Sequence, residues 1–377
     1  VKLNLALLAC ASVAVALASC KKAEQAAPAP TPAPAPPSAQ PPTPAPVAGP
    51  PLTPVSGPVT TADGRSATVL QPAQISPLLN DVPQGAGGGT LIIDGARSLD
   101  DGVLVADRIQ FRSGAVLTFS PKAVQSRRSL LIVAREVVSD DPQHPGKISY
   151  ALPPAAPAQA GAGQAKTAPE PPREGQAGTA GRPGEAGGAG STGMDAPNLT
   201  LVVLSLRGGG PAIDLTGGPG GPGAQGRPGS DGGPGGWGRP AKPDTFKCDR
   251  PAGNGGPGGA GGVGGGGGQG GNGGGGGTVT VLGLGDRVPG IVQKLRVTTA
   301  GGEPGPGGPA GKGGLGGPGG RGGQEARPFC TKAGRSGPAG LAGRPGSVGS
   351  AGQRGVDGDL MVGAISEAEF NRIQGRK

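Results

Sequence analysis

Large side chains are what this sequence has least of. Aromatic residues make up 2% of its 377 positions: one Trp, one Tyr and five Phe. Charged residues reach only 16%, and there is a single histidine. A conventional core of bulky side chains cannot be assembled along the whole of such a chain. One histidine excludes a multi-histidine metal site built within one chain, and a His-dependent nucleophile would have to use that single residue. The net charge of +9 is spread without a dense Lys/Arg block, which argues against a nucleic-acid partner.

Other chemistry is equally thin. His144 lies in Asp140-Asp-Pro-Gln-His-Pro-Gly146, a turn composition. Gly311-Lys312 lacks the following Ser/Thr and the spacing of a phosphate loop. Asp100, Asp101 and Asp107 are the carboxylates that a polysaccharide-cleaving site would use, and they also read as turn aspartates. The expectation is a protein that is not an enzyme, with no catalytic residues, no metal and no cofactor.

Glycine and proline are abundant instead, with 83 Gly and 45 Pro. Five stretches place glycine at every third residue: 175–195, 217–240, 253–277, 302–325 and 334–360. They hold 8 glycines of 21, 12 of 24, 19 of 25, 13 of 24 and 9 of 27, so the content peaks in the middle stretch. A period-three glycine lattice implies an extended left-handed helix, because only glycine allows close approach of neighbouring chains. The gradient suggests arms lying side by side, with the central arm the most enclosed.

Between the arms lie short β-type runs. Thr90–Ile93, Val103–Val105, Ile109–Phe111 and Ala115–Phe119 are bounded by Gly, Asp and Ser. Leu130–Ala134, Leu199–Val203, Thr278–Leu282 and Leu360–Ala364 recur about 70 to 80 residues apart. Lys147–Tyr150, Ala212–Leu215 and Lys294–Val297 follow the first three as second strands, and a glycine- or proline-rich excursion follows each of these. The excursions span 151–197, 217–277 and 302–357. Strand, turn, strand, excursion is how a parallel β-solenoid with large insertions reads. Near the end, Ser366-Glu-Ala-Glu369 forms a capping box, with Phe370 and Ile373 on one helix face. That helix is expected to cover the last coil.

The second and third excursions each hold two arms joined by a loop, and so read as long hairpins. A collagen triple helix needs glycine at one position in three. The arm from Gly253 has it at two, as in Gly256-Pro-Gly and Gly271-Asn-Gly, which suits an interior helix touched on several sides. Cys248 lies in one loop and Cys330 in the other. If both hairpins stand parallel on one scaffold, their tips are neighbours and the cysteines can pair. Trp237, Phe246 and Phe329 fall in or beside these tips, with Lys247, Arg250 and Lys332 among the basic residues around them. A basic surface carrying aromatics suits glycans or acidic partners, although the same residues could simply cap the arms.

The Gly-X-Gly arms with intervening loops resemble the polyglycine-II sandwich of phage tail-tip adhesins and glycine-rich antifreeze proteins, over roughly residues 151–360. The resemblance implies a folded bundle whose loops carry the contacts. The runs from Gly175 and Gly334 are also similar to collagen repeats, which leaves a homotrimeric stalk as an alternative to the monomer. Ice binding would want a regular Ala/Thr face, which Asn254, Pro257, Val263 and Gln269 do not offer.

The N-terminus has its own signature. Lys2 precedes an apolar stretch to Ala18, and Leu17-Ala-Ser-Cys20 resembles the lipobox of bacterial lipoproteins. That resemblance implies cleavage before Cys20, acylation of Cys20 and, with Lys21 following, residence at the outer membrane. Residues 23–61 are mostly Pro, Ala and Thr, a semi-rigid polyproline spacer.

The expected fold is mainly β with extended polyglycine-II and polyproline-II segments: a small parallel β-solenoid whose glycine-rich hairpin insertions pack as a bundle. The expected layout is a signal peptide (1–19), a lipidated stalk (20–61), the solenoid start (62–150), coils with three hairpin arms (151–360), and a strand end with a capping helix (361–377). The expected role is that of a structural or adhesive envelope lipoprotein, exposed at the cell surface or facing the periplasm. A polysaccharide-processing enzyme is the remaining alternative.

Overall fold

The computed structural model describes residues 54–375 apart from 56, 81–87, 128, 154–157 and 159–171. Cys20, the signal sequence and most of the Pro/Ala segment lie outside the described residues. The described chain opens with β1 (Thr68–Val69) and α1 (Pro72–Asn80), then steps repeatedly between two sheets. The steps are β2 (Thr90–Ile93) to β3 (Ala96–Leu99), and β4 (Val103–Phe111) to β5 (Val116–Phe119). After α2 (Pro121–Ser126) come β6 (Ser129–Ser139) to β7 (Lys147–Tyr150), and β8 (Asn198–Gly208) to β9 (Ala212–Asp214). A small ribbon of β10 (Lys242–Pro243) and β11 (Cys248–Arg250) stands apart from both sheets. Then follow β12 (Val279–Gly283), α3 (Val288–Val292), β13 (Arg296–Thr298), β14 (Leu360–Ala364) and α4 (Glu367–Ile373).

The seven-stranded sheet has the order β1-β14-β12-β8-β6-β4-β2, and the five-stranded sheet the order β13-β9-β7-β5-β3. Every pairing within them is parallel. The protein is therefore mainly β, with parallel sheets and few helices. Parallel strands are normally covered on both faces, which is why their aliphatic runs are continuous rather than alternating. Leu130, Leu199, Val279 and Leu360 stand in one register row, and Ile132, Leu201, Val281 and Val362 in the next. These rows face the second sheet in the main core. Each fully buried aliphatic side chain contributes about 1.5–3 kcal/mol. Val279, the second residue of its run, stands in register with Leu130, the first of its own.

The outer face of the larger sheet carries Leu131, Val133, Val202, Leu204 and Leu282, which pack with Ile75 and Leu79 of α1 and with Phe370 and Ile373 of α4. The capping box of α4 forms: Glu369 N–H donates to Ser366 Oγ at 3.1 Å, and Ser366 N–H donates to Glu369 Oε2 at 2.8 Å. The helix lies across this outer face, where the Arg135 guanidinium sits 5.3 Å from the Phe370 ring. The edge beyond β14 is taken by β1. Val59 and Thr61, within the segment read as spacer, are buried, and Ala62 N–H donates to Leu295 O at 3.0 Å. Val59 joins the main apolar core and Thr61 Oγ1 accepts Arg65 N–H at 2.9 Å, so the folded part begins earlier than composition indicates.

The five arms join through their backbones. The second runs antiparallel to the first (Gly221 N–H to Ser191 O, 2.7 Å) and to the third (Gly271 N–H to Gly221 O, 2.8 Å). The fourth opposes the third (Gly305 N–H to Gly271 O, 2.9 Å), and the fifth opposes the fourth (Gly352 N–H to Gly305 O, 3.0 Å). Arms of like direction pair in parallel through Gly190 to Gln269 O, Gly220 to Glu303 O and Gly270 to Ser350 O. The first, third and fifth arms thus form one row, and the second and fourth nest against it in the opposite direction.

The third arm is bonded to all four others. In the triplet Gln269-Gly270-Gly271, Gly270 donates to the fifth arm and Gly271 to the second, while the carbonyls of Gln269 and Gly271 accept from the first and fourth. A Cβ on Gly270 would lie 2.0 Å from Gly305 O, and one on Gly271 would lie 1.9 Å from Ser191 O. Two glycines per triplet are a steric requirement of this central position.

Candidate functional site

The arms carry two loops at the end remote from the sheets. In the first, β10 and β11 pair antiparallel, and Asp244 N–H donates to Lys247 O at 2.8 Å. That tight turn projects Phe246, whose exposure is 86%. In the second loop, Ala326 and Cys330 exchange backbone hydrogen bonds of 2.9 Å. A Cys248–Cys330 disulfide joins the loops, with Cα atoms 4.9 Å apart, and Cys330 is buried beneath it. Closing a loop of 82 residues' separation restricts the unfolded chain.

Trp237 sits on the second arm three residues before Pro240, 68% exposed, and its carbonyl accepts from Gly175 N–H at 2.8 Å. Phe329 is 41% exposed. Lys247, Arg250 and Lys332 are all exposed. Two neighbouring cations are neutralised, Lys242 by Asp249 at 3.8 Å and Arg327 by Glu325 at 2.9 Å. Lys247, Arg250 and Lys332 form no ion pair among the described residues, so they leave the tips basic. Aromatic faces and unpaired cations on a covalently clasped frame can stack on rings and attract negative charge.

The carboxylates considered for catalysis take structural positions. Asp100 and Asp101 occupy the exposed turn between β3 and β4, where Asp101 Oδ1 accepts Val103 N–H at 3.2 Å. Asp107 lies within β4 and accepts Gly89 N–H at 3.1 Å. Asp141 accepts from Ser113 Oγ at 2.8 Å and contacts His144 Nδ1 at 3.0 Å. Hydrogen bonding to His144, then to Ser113 and the Gln143 amide, holds the Asp141 carboxyl below its ordinary range. The carboxylate stands between Ser and His, so the imidazole is not bonded to the hydroxyl as a nucleophile relay requires. The group ties β-turns together.

A second clasp fixes the root of the second arm. Lys147 Nζ lies 2.7 Å from Asp214 Oδ2, and Thr216 donates to Asp214 Oδ1 at 2.8 Å. Partial burial opposes ionisation of Asp214, yet the Lys147 and Thr216 hydrogen bonds hold its carboxyl below the usual range. Burial, reinforced by the Asp214 and Asp195 charges, pushes the nearby Tyr150 phenol up. Composition gives no hint of this cluster, because its members come from three separated segments.

No family model and no curated protein matches the chain. Among solved structures there is a likeness to the nine polyproline type II helical bundle springtail antifreeze protein from Granisotoma rainieri, whose crystal waters match the ice lattice. The identity is 27%, covering 49% of this chain and 97% of that one, with a TM-score of 0.11. So low a score carries no argument about this chain's fold or activity.

Proposed function

We propose that this protein is a non-enzymatic, lipid-anchored envelope protein that presents its clasped loop tips as an adhesive surface. In this reading Cys20 carries the lipid, the Pro/Ala segment is a spacer, and the chain resides at the outer membrane as a monomer. The alternating parallel sheets act as a small β-solenoid, and the glycine arms act as a polyglycine-II bundle projecting from it. Arms of about 24 residues reach roughly 75 Å at the polyproline rise, enough to hold a contact surface well clear of the scaffold.

The observation that carries the reading is the exposure of Trp237 and Phe246 beside unpaired cations on a disulfide-clasped frame. Exposed aromatic residues lose little entropy when they bind and often dominate contact energy. Rigid support below them lowers the ordering cost further. The partner class is a glycan or other acidic surface ligand. Beads bearing the mature chain should attach to a surface coated with acidic polysaccharide. Trp237→Ala with Phe246→Ala should lower attachment tenfold or more without altering the melting temperature. Undiminished attachment by that variant would remove the tips from the function.

A further inference from the structure

At the opposite end of the arms a groove of about 990 Å³ opens where the first, third and fifth arms meet the larger sheet. Its walls include Asp195 and Asn198 beside the first arm, Asn272 on the third, and Gln353, Arg354 and Asp357 on the fifth. Four of these side chains are fixed by backbone amides. Asp195 Oδ1 accepts Gly275 N–H at 2.6 Å, and Asn198 Oδ1 accepts Thr278 N–H at 2.9 Å. Asn272 Oδ1 accepts Gln353 N–H at 2.8 Å, and Asp357 Oδ1 accepts Gly301 N–H at 2.7 Å.

The fixed oxygen determines what each group has left. The Asn198 and Asn272 amides keep their NH₂ donors, and Asp195 and Asp357 keep a second carboxylate oxygen as acceptor. Donors and acceptors each oriented by a backbone hydrogen bond suit hydroxyl groups, which both donate and accept. Charge narrows the ligand further. Arg354 is engaged by Glu303 at 3.7 Å and by Asp357 at 3.8 Å, whereas Asp195 and Asp359 form no ion pair among the described residues. A polyanion entering here would meet the Asp195 and Asp359 carboxylates, and the lining cation among the described residues, Arg354, is already paired, so repulsion costs affinity.

The groove also has the surfaces that sugar C–H groups use. Met194 and Val356 line it with exposures of 41% and 81%. Gly275 lies between them without a side chain, and a Cβ there would find its nearest atom at 3.4 Å. The backbone is thus open to close approach. We propose that this groove binds a neutral, hydroxyl-rich glycan. The site is separate from the clasped tips and does not depend on their role.

The test is a nuclear magnetic resonance titration of the mature chain with the uncharged hexasaccharides of β-1,4-linked glucose and of N-acetylglucosamine, and with hexagalacturonate as the anionic comparator. At least one neutral hexasaccharide should shift the Asn198 and Asn272 side-chain amide resonances saturably, and hexagalacturonate should not. Asn198→Asp with Asn272→Asp keeps both Oδ1 acceptors, and so the fold, but removes both donors. It should weaken neutral binding tenfold or more, while Trp237→Ala leaves it unchanged. The proposal is overturned if neither neutral hexasaccharide shifts the two amides, if hexagalacturonate binds as well, or if the double variant binds like the parent. The wild-type amide shifts decide the matter even if the double variant does not fold.

Discussion

Gly262 and Gly266 stand four residues apart on the third arm and face opposite steric demands. A Cβ on Gly262 would lie 2.0 Å from Arg182 O, inside the contact between two backbones. A Cβ on Gly266 would find nothing nearer than Ser347 Oγ at 3.3 Å. Gly262→Ala must push the first arm away and break the hydrogen bonds between them, at a cost of about 3 kcal/mol or more. Gly266→Ala should change stability by less than about 1 kcal/mol, and could stabilise by restricting the unfolded chain. Thermal melting of the two variants checks this, and equal melting temperatures would contradict the lattice. The sequence shows the surplus of glycine but not which glycine fills which role. The same limit hides Asn254, Asn272 and Asp231, which the sequence shows only as non-glycine positions of the arms. Each accepts a backbone N–H from the neighbouring arm, and that partner lies about 80 residues away in the chain.

Elements were legible where their signal is local. The aliphatic runs at Leu130, Leu199 and Leu360 announce strands, and the Ser366–Glu369 pair announces α4. β3 is not announced, because Ala96-Arg-Ser-Leu99 is largely exposed and forms a sheet edge beside β5 alone. α1 is obscured by Pro77 within it. Val103–Val105 and Ile109–Phe111 read as two strands, yet β4 runs unbroken from Val103 to Phe111, because Arg108 pairs outward with Glu136 at 3.5 Å and leaves the ladder intact. The disulfide belongs to this scale, because it unites two hairpins whose arms are already bonded below it. Cys248→Ser with Cys330→Ser frees a loop of 82 residues' separation. The chain-entropy argument then expects a loss of about 2–4 kcal/mol, read as a lower denaturant midpoint. Amides of 242–250 should also exchange faster in that variant. An unchanged midpoint would mean that the tips are held without the clasp.

At the scale of the whole molecule, two arrangements depend on contacts that no local pattern encodes. β1 pairs with β14, so the start of the described chain closes the edge left by its end. The arms sort into two rows by direction, and only the third, with 19 glycines of 25, is surrounded. Sequence composition exposed the maximum, but the identity of its four partners is a property of the assembled rows. A collagen-like trimer would place one glycine per triplet at its axis. The rows instead engage at least two of three backbone amides in each triplet of the third arm from Gly255 onward. Residue-resolved hydrogen exchange on the protein tests this most directly. The bundle predicts slow exchange at both glycines of each triplet, such as Gly261 with Gly262 and Gly270 with Gly271, and fast exchange at Ala260, Val263 and Gln269. Protection of one glycine per triplet, or of none, would contradict it.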